Sequence, residues 1–120
     1  MIEEKNAVIE KVRFDTERGL TMHVMLNYGG SGQGFGGYLL YAPEGWAAHN
    51  NPGNFCGHFI WRVLEIAGVD DLAQLPGKTI RVRSEHSKVH AIGHIVENKW
   101  FNPQEEFAAI IAKFKSAEQS

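Results

Sequence analysis

Two arginines, Arg81 and Arg83, stand two residues apart in the strand-like run Thr79–Ser84, so both side chains leave one face. Neighbouring guanidiniums repel unless an anion lies between them, and a phosphate suits their planar forks. The competing reading is that each pairs with a carboxylate across the sheet or reaches solvent. Upstream, Asn27–Tyr41 reads NYGGSGQGFGGYLLY, with glycines at 29, 30, 32, 34, 36 and 37. Each glycine costs roughly 0.5–1 kcal/mol against alanine in regular structure, so this density needs a reason: positive φ at several points, or another group lying where a Cβ would sit. One reading is a tight loop between two strands whose N–H groups cradle an anion. The other is a wide hairpin connection with bulges. On the first reading Gly30, Gly32, Gly34, Phe35 and Gly36 are ligand-binding positions, for the same kind of ligand that suits the arginines.

Two nucleotide motifs are matched only in letters. Gly32-x-Gly34-x-x-Gly37 spells the dinucleotide fingerprint, but it runs into the strand-like Tyr38-Leu39-Leu40-Tyr41 rather than opening a helix. Gly77-Lys78-Thr79 ends like a P-loop, whose first glycine would fall at Leu72. His86, His90 and His94 are spaced by four. On strands, His90 and His94 lie about 13 Å apart, too far for one zinc with bonds near 2 Å, and no metal site is expected. Cys56 and His58 diverge on a helix, Glu44 and Glu85 are isolated, and no serine sits in a nucleophile elbow. Nothing assembles nucleophile, base and oxyanion site. The expectation is a binding protein, not an enzyme, with no cofactor.

These residues must be positioned by an α+β fold. Asn6–Phe14 and Leu20–Tyr28 alternate as a hairpin around Asp15–Gly19, and Tyr38–Ala42 reads as a third strand. Pro43–Gly53 is turn-rich. Asn54 is a candidate N-cap for a helix to Ala67, with Phe55, Phe59, Val63 and Ala67 at four-residue spacing and Gly68 as terminator. A short helical turn follows over 69–77. Thr79–Ser84 and Val89–Val96 form a second hairpin, and Asn102-Pro103 opens a last helix whose apolar face is Phe107, Ile110, Ile111 and Phe114. The expected architecture is an antiparallel sheet of about five strands (three strands, helix, two strands, helix), with two main helices packed on one face. Trp61 falls off the first helix's apolar stripe, where an interface would use it. Trp100-Phe101 precedes the last helix, as a hydrophobic staple does.

At 120 residues the chain is expected to be a single domain, 1–120, with 43% hydrophobic and 22% charged residues. A net charge of −2 announces no long nucleic-acid or acidic-membrane partner. One cysteine excludes an internal disulfide and suits a reducing compartment. MIEEKNAVIE has no apolar h-region, and no apolar run reaches membrane-span length. A cytoplasmic protein is expected.

The block Asn27–Tyr38 and the later G-x-x-I-R-V … A-I-G-H-I … K-W-F-N-P block, Gly77–Pro103, together resemble small phage and prophage proteins of the first-described Thoeris anti-defence family. The resemblance implies a non-enzymatic sponge in the infected bacterial host's cytoplasm. Such a protein sequesters cyclic ADP-ribose isomers, and some members hold cyclic oligonucleotides at a separate site in larger oligomers. It further implies ligand pockets between protomers of a homo-oligomer, dimer or hexamer, gripped by arginines and a stacking aromatic. Arg81 and Arg83 match the arginines; Phe55 or Trp100 is the aromatic. The competing class is a phage protein–protein inhibitor that occludes a host or defence protein, although such blockers are often strongly acidic.

Overall fold

The computed structural model describes residues 1–41 and 55–118. Six strands and two helices follow in the order β1 (Glu3–Asp15), β2 (Thr21–Asn27), β3 (Gly32–Gly36), α1 (Phe55–Ala67), β4 (Thr79–Glu85), β5 (Lys88–Gly93), β6 (Trp100–Phe101) and α2 (Pro103–Glu118). A 3-10 turn, Leu72–Gln74, precedes β4. The strands form one antiparallel sheet, ordered β3-β2-β1-β4-β5-β6. This is the α+β fold expected from the sequence, with one more strand. The turn at 43–53, the strand end Ala42, Asn54, Glu44 and Trp46 lie outside the described residues, as does the side chain of Phe114.

Alternation along each strand sends Ile9, Met22, Val24, Leu26, Ile80, Val82 and Ile92 to one face, where each is at most 2% exposed. Phe55, Phe59, Val63 and Ile66 of α1 are buried with them. Bulges between Ile9 and Lys11 and between Arg83 and Ser84 bend the sheet. It rolls until its ends meet around α1. Phe35 of β3 touches Phe101 of β6 edge-on at 6.0 Å, and both rings pack on Phe59. The Gln33 side chain closes the roll, donating to the Glu85 and His86 carbonyls at 2.9 and 3.1 Å. Gly68, at φ +72, ends α1, and the N–H groups of Gly68 and Val69 return to the Leu64 carbonyl. Asn102 caps α2 through its Oδ1, which accepts from the Glu105 N–H, and Pro103 occupies the first helical position. Phe107 of α2 stacks on Phe55 at 4.3 Å, bringing the second helix onto the same core.

The glycine stretch departs from both sequence readings. The turn occupies Tyr28–Ser31, closed by the Tyr28 N–H to the Ser31 carbonyl, and Gly32–Gly36 is itself a strand. The strand expected to begin at Tyr38 is reduced to a single bridge, Tyr41 to Leu20. The reason is close approach. A Cβ at Gly32 would lie 2.5 Å from the Leu26 carbonyl oxygen, and one at Gly36 would lie 2.2 Å from that of Met22. Gly36 also sits at φ +112, a conformation that L side chains rarely adopt. Two glycines thus seat β3 against β2, and the short connection leaves no wide loop.

Candidate functional site

With Ile80, Val82 and Ser84 turned inward, Arg81 and Arg83 project from the outer face of β4. On β1, Asn6 lies opposite Arg81 and Glu4 opposite Arg83; on β5, Gly93 lies opposite Arg81. Trp100 of β6 is in turn opposite Gly93. Because Gly93 has no side chain, the indole lies flat across β5, where an added Cβ would come within 2.7 Å of the ring. The Arg83 Cζ sits 3.8 Å from the ring centroid and the Arg81 Cζ 4.9 Å. The Gly93 backbone and the Arg83 guanidinium are both in contact distance of the ring and cannot share one side of it. Trp100 is therefore sandwiched between them.

The two arginines differ in what they hold. Arg81 Nε donates to the His94 carbonyl at 2.7 Å and Nη2 to the Glu97 carbonyl at 2.8 Å. The loop it grips is tied again by His94 Nδ1, which accepts from the Val96 and Glu97 N–H groups. Arg83 has Glu4 as its ion-pair partner at 3.9 Å, beyond hydrogen-bond reach, and its side chain is 47% exposed. Among the described residues no acceptor lies within hydrogen-bond distance of it. Its charge is held in place by stacking and by the distant Glu4 carboxylate, and among the described residues its donors make no hydrogen bond.

Arg83 and Trp100 line a cleft of about 270 Å³ together with His90, Asn102, Glu105 and Glu106. His90 Nε2 contacts Glu85 at 2.8 Å, and this hydrogen bond, with the nearby N-terminal ammonium, holds the Glu85 carboxyl below the usual range. Glu106 is turned toward α1, where it meets His58 at 2.7 Å and Arg62 Nε at 3.1 Å. Arg62 also pairs with Glu65 and donates to the Trp100 carbonyl at 2.6 Å. Burial opposes the Arg62 charge, but the hydrogen bonds it donates to Glu106 and Glu65, with their negative charge, outweigh it and raise its pKa. This network pins β6, and with it Trp100, to both helices. Sequence reasoning missed it: Arg62 and Glu106 are 44 residues apart and carry no motif.

The remaining sequence candidates fall elsewhere. Phe55 is 4% exposed against Phe107, and Phe35 is fully buried against Phe59, so neither ring has a face for a ligand. Gly36 is tucked against β2, and Gly34 faces Met25. Gly30 and Gly32 line a separate hollow with Glu10, Asn27 and Ser31. That hollow contains neither arginine, and the Arg83 cleft contains none of the glycines. Burial pushes the Cys56 thiol pKa up, away from nucleophilic use. Among the described residues, no three His, Cys, Asp or Glu side chains are placed to hold a metal ion. No helix among them is long and apolar enough to cross a membrane. Comparison with known protein families, with curated proteins and with solved structures finds no match for this chain.

Proposed function

We propose that this chain is a phage anti-defence protein that binds a small cyclic nucleotide-type immune signal of the cyclic ADP-ribose class and holds it without degrading it. The observation that carries this reading is Arg83: a half-exposed guanidinium, preorganised on Trp100, with unused donors at the mouth of a cleft. Charge-assisted bonds from such a group to phosphate are among the strong ones. The glycine hollow is a separate surface in this reading, and Arg81 supports the site by holding the 94–99 loop. Binding without turnover is favoured because, among the described residues, no serine, threonine or cysteine lines the cleft beside His90. A small two-phosphate ligand also suits a chain of net charge −2 better than a long polyanion does. Action in the cytoplasm of the infected host, as a dimer or hexamer, completes the proposal; Ile2, 55% exposed at the cleft, is available to such an assembly.

The test is to mix purified protein with a substoichiometric cyclic ADP-ribose isomer, ultrafilter, then heat-denature the retained fraction for mass spectrometry. Depletion of the filtrate and recovery of the intact isomer is the expected result. ADP-ribose or AMP accumulating with time would revive a hydrolase, and an undepleted filtrate at micromolar protein would remove the sponge. A second reading, occlusion of a host or defence protein, is favoured by Trp61, which is 67% exposed on α1. Loss of anti-defence activity in Trp61→Ala, with ligand capture unchanged, would favour it.

A further inference from the structure

We infer that the nucleobase of the ligand stacks on the plane of the Arg83 guanidinium, not on the Trp100 indole; this rests on the proposed function only in taking the ligand to be a nucleotide. Trp100 is the aromatic at the cleft, and an exposed indole would be the obvious platform. Here both of its faces are spent. One lies against the Gly93 backbone, so close that a Cβ there would sit 2.7 Å from the ring. The other is covered by Arg83 at 3.8 Å. What the cleft receives in place of the indole is the outer face of that guanidinium, on a side chain 47% exposed.

A guanidinium can serve in this way because it offers two kinds of contact at right angles. Its N–H donors radiate in the plane and suit phosphate oxygens. Its flat faces are weakly hydrated and stack on aromatic rings, and Arg planes are established supports for unstacked bases. Arg83 already spends one face on Trp100 and has no in-plane hydrogen bond among the described residues. One residue can therefore meet both halves of a nucleotide, base above the plane and phosphate at its edge. Trp100 then acts beneath it as a positioning residue, and the Arg62 hydrogen bond to the Trp100 carbonyl holds that base layer to α1. Lysine at 83 would keep the charge and lose the plane.

The experiment compares AMP with ribose 5-phosphate, which share the phosphate and differ by the adenine, on wild-type protein and on Arg83→Lys. Binding is followed by the indole N–H resonance of Trp100, assigned with Trp100→Phe, and a thermal melt confirms that each variant is folded. AMP should bind wild type at least about tenfold tighter than ribose 5-phosphate, the size expected of one base stack. In Arg83→Lys that preference should shrink to within about twofold, while ribose 5-phosphate binds nearly as before. Equal binding of the two probes to wild type would overturn the inference. So would a preference that survives Arg83→Lys, or no perturbation of Trp100 by millimolar AMP. Binding of AMP with this pattern, but no binding of any cyclic ADP-ribose isomer, would sink the proposed signal class and leave the stack standing.

Discussion

Replacing Gly93 with alanine tests the architecture of the cleft without altering any of the side chains proposed to meet the ligand. The new methyl would stand 2.7 Å from Cδ2 and Cε3 and 2.8 Å from Cζ3 of Trp100, about 0.7 Å short of ordinary contact. The ring has little room to retreat, since its backbone is held by Arg62 at 2.6 Å and Arg83 covers its other face at 3.8 Å. Overpacking of this kind costs about 1–3 kcal/mol, which for a chain of this size lowers Tm by on the order of 4–15 °C. The assay is a thermal melt of Gly93→Ala beside wild type, repeated in a Trp100→Ala background. With the indole gone, the three nearest atoms that the methyl would meet are removed, and alanine should be neutral or slightly stabilising there, because glycine in a strand carries an entropic cost. The cycle should therefore show strong coupling between positions 93 and 100. A loss of the same size in both backgrounds would refute the sandwich, and so would a Gly93→Ala melt within about 2 °C of wild type.

The arginine pair should separate in kind. Arg81→Ala removes two charge-assisted bonds to loop carbonyls and should cost about 1–3 kcal/mol of stability, whereas Arg83→Ala should melt within about 2 °C of wild type and lose nucleotide affinity roughly 10- to 100-fold by calorimetry. The Glu85 carboxyl, depressed in the folded state by its hydrogen bond from His90 and by the N-terminal ammonium, contributes stability that is present above the ordinary carboxylate range and lost as pH falls through it. Melts of wild type and Glu85→Gln should accordingly differ at pH 7 and converge by about pH 3; a constant gap across that window would show that the pair contributes nothing. Gly36→Ala should destabilise by at least about 2 kcal/mol, because the clash is with a backbone oxygen at positive φ. Gly34→Ala, with only the Met25 thioether 3.6 Å away, should be tolerated, and chemical denaturation of both distinguishes strand seating from a flexible loop.

The elements with a clear period were legible before any coordinates. The 3.6-residue stripe of Phe55, Phe59 and Val63 is the buried face of α1, and the alternation of Met22, Val24 and Leu26 is the inner face of β2. The Asn102-Pro103 start of α2 was equally readable, since cap chemistry is local. The third strand was not. Five residues reading GQGFG have no β-branched side chain, and propensity assigns them to a loop; what makes them a strand is the carbonyl row of β2 lying where Cβ atoms would be. That information belongs to the partner strand. For the same reason Phe35, set among glycines, read as a ligand contact and proves to be the centre of the core.

Arg81 and Arg83 show where local reading of a site ends. Both are arginines, on one strand, on one face, and the sequence offers no ground for treating them differently. Their roles are set by residues that arrive later in the chain. After β5 stops at Gly93, the chain turns through His94–Lys99 before pairing again as β6, and the carbonyls exposed by that turn fall beside Arg81. The Glu97 carbonyl already accepts from the Lys99 N–H, and the guanidinium adds a charge-assisted bond to it and to the His94 carbonyl, which favours ordering the side chain there. Arg83, one residue pair further along the sheet, is past the end of that loop and finds the Trp100 ring, which offers attraction but no acceptor, and the Glu4 carboxylate at 3.9 Å, beyond hydrogen-bond reach. Among the described residues Arg83 therefore makes no hydrogen bond, and its guanidinium rests on the ring. The two-residue β6, too short to be seen in the sequence, is thus what puts the two arginines in different surroundings, one on loop carbonyls and the other on a ring.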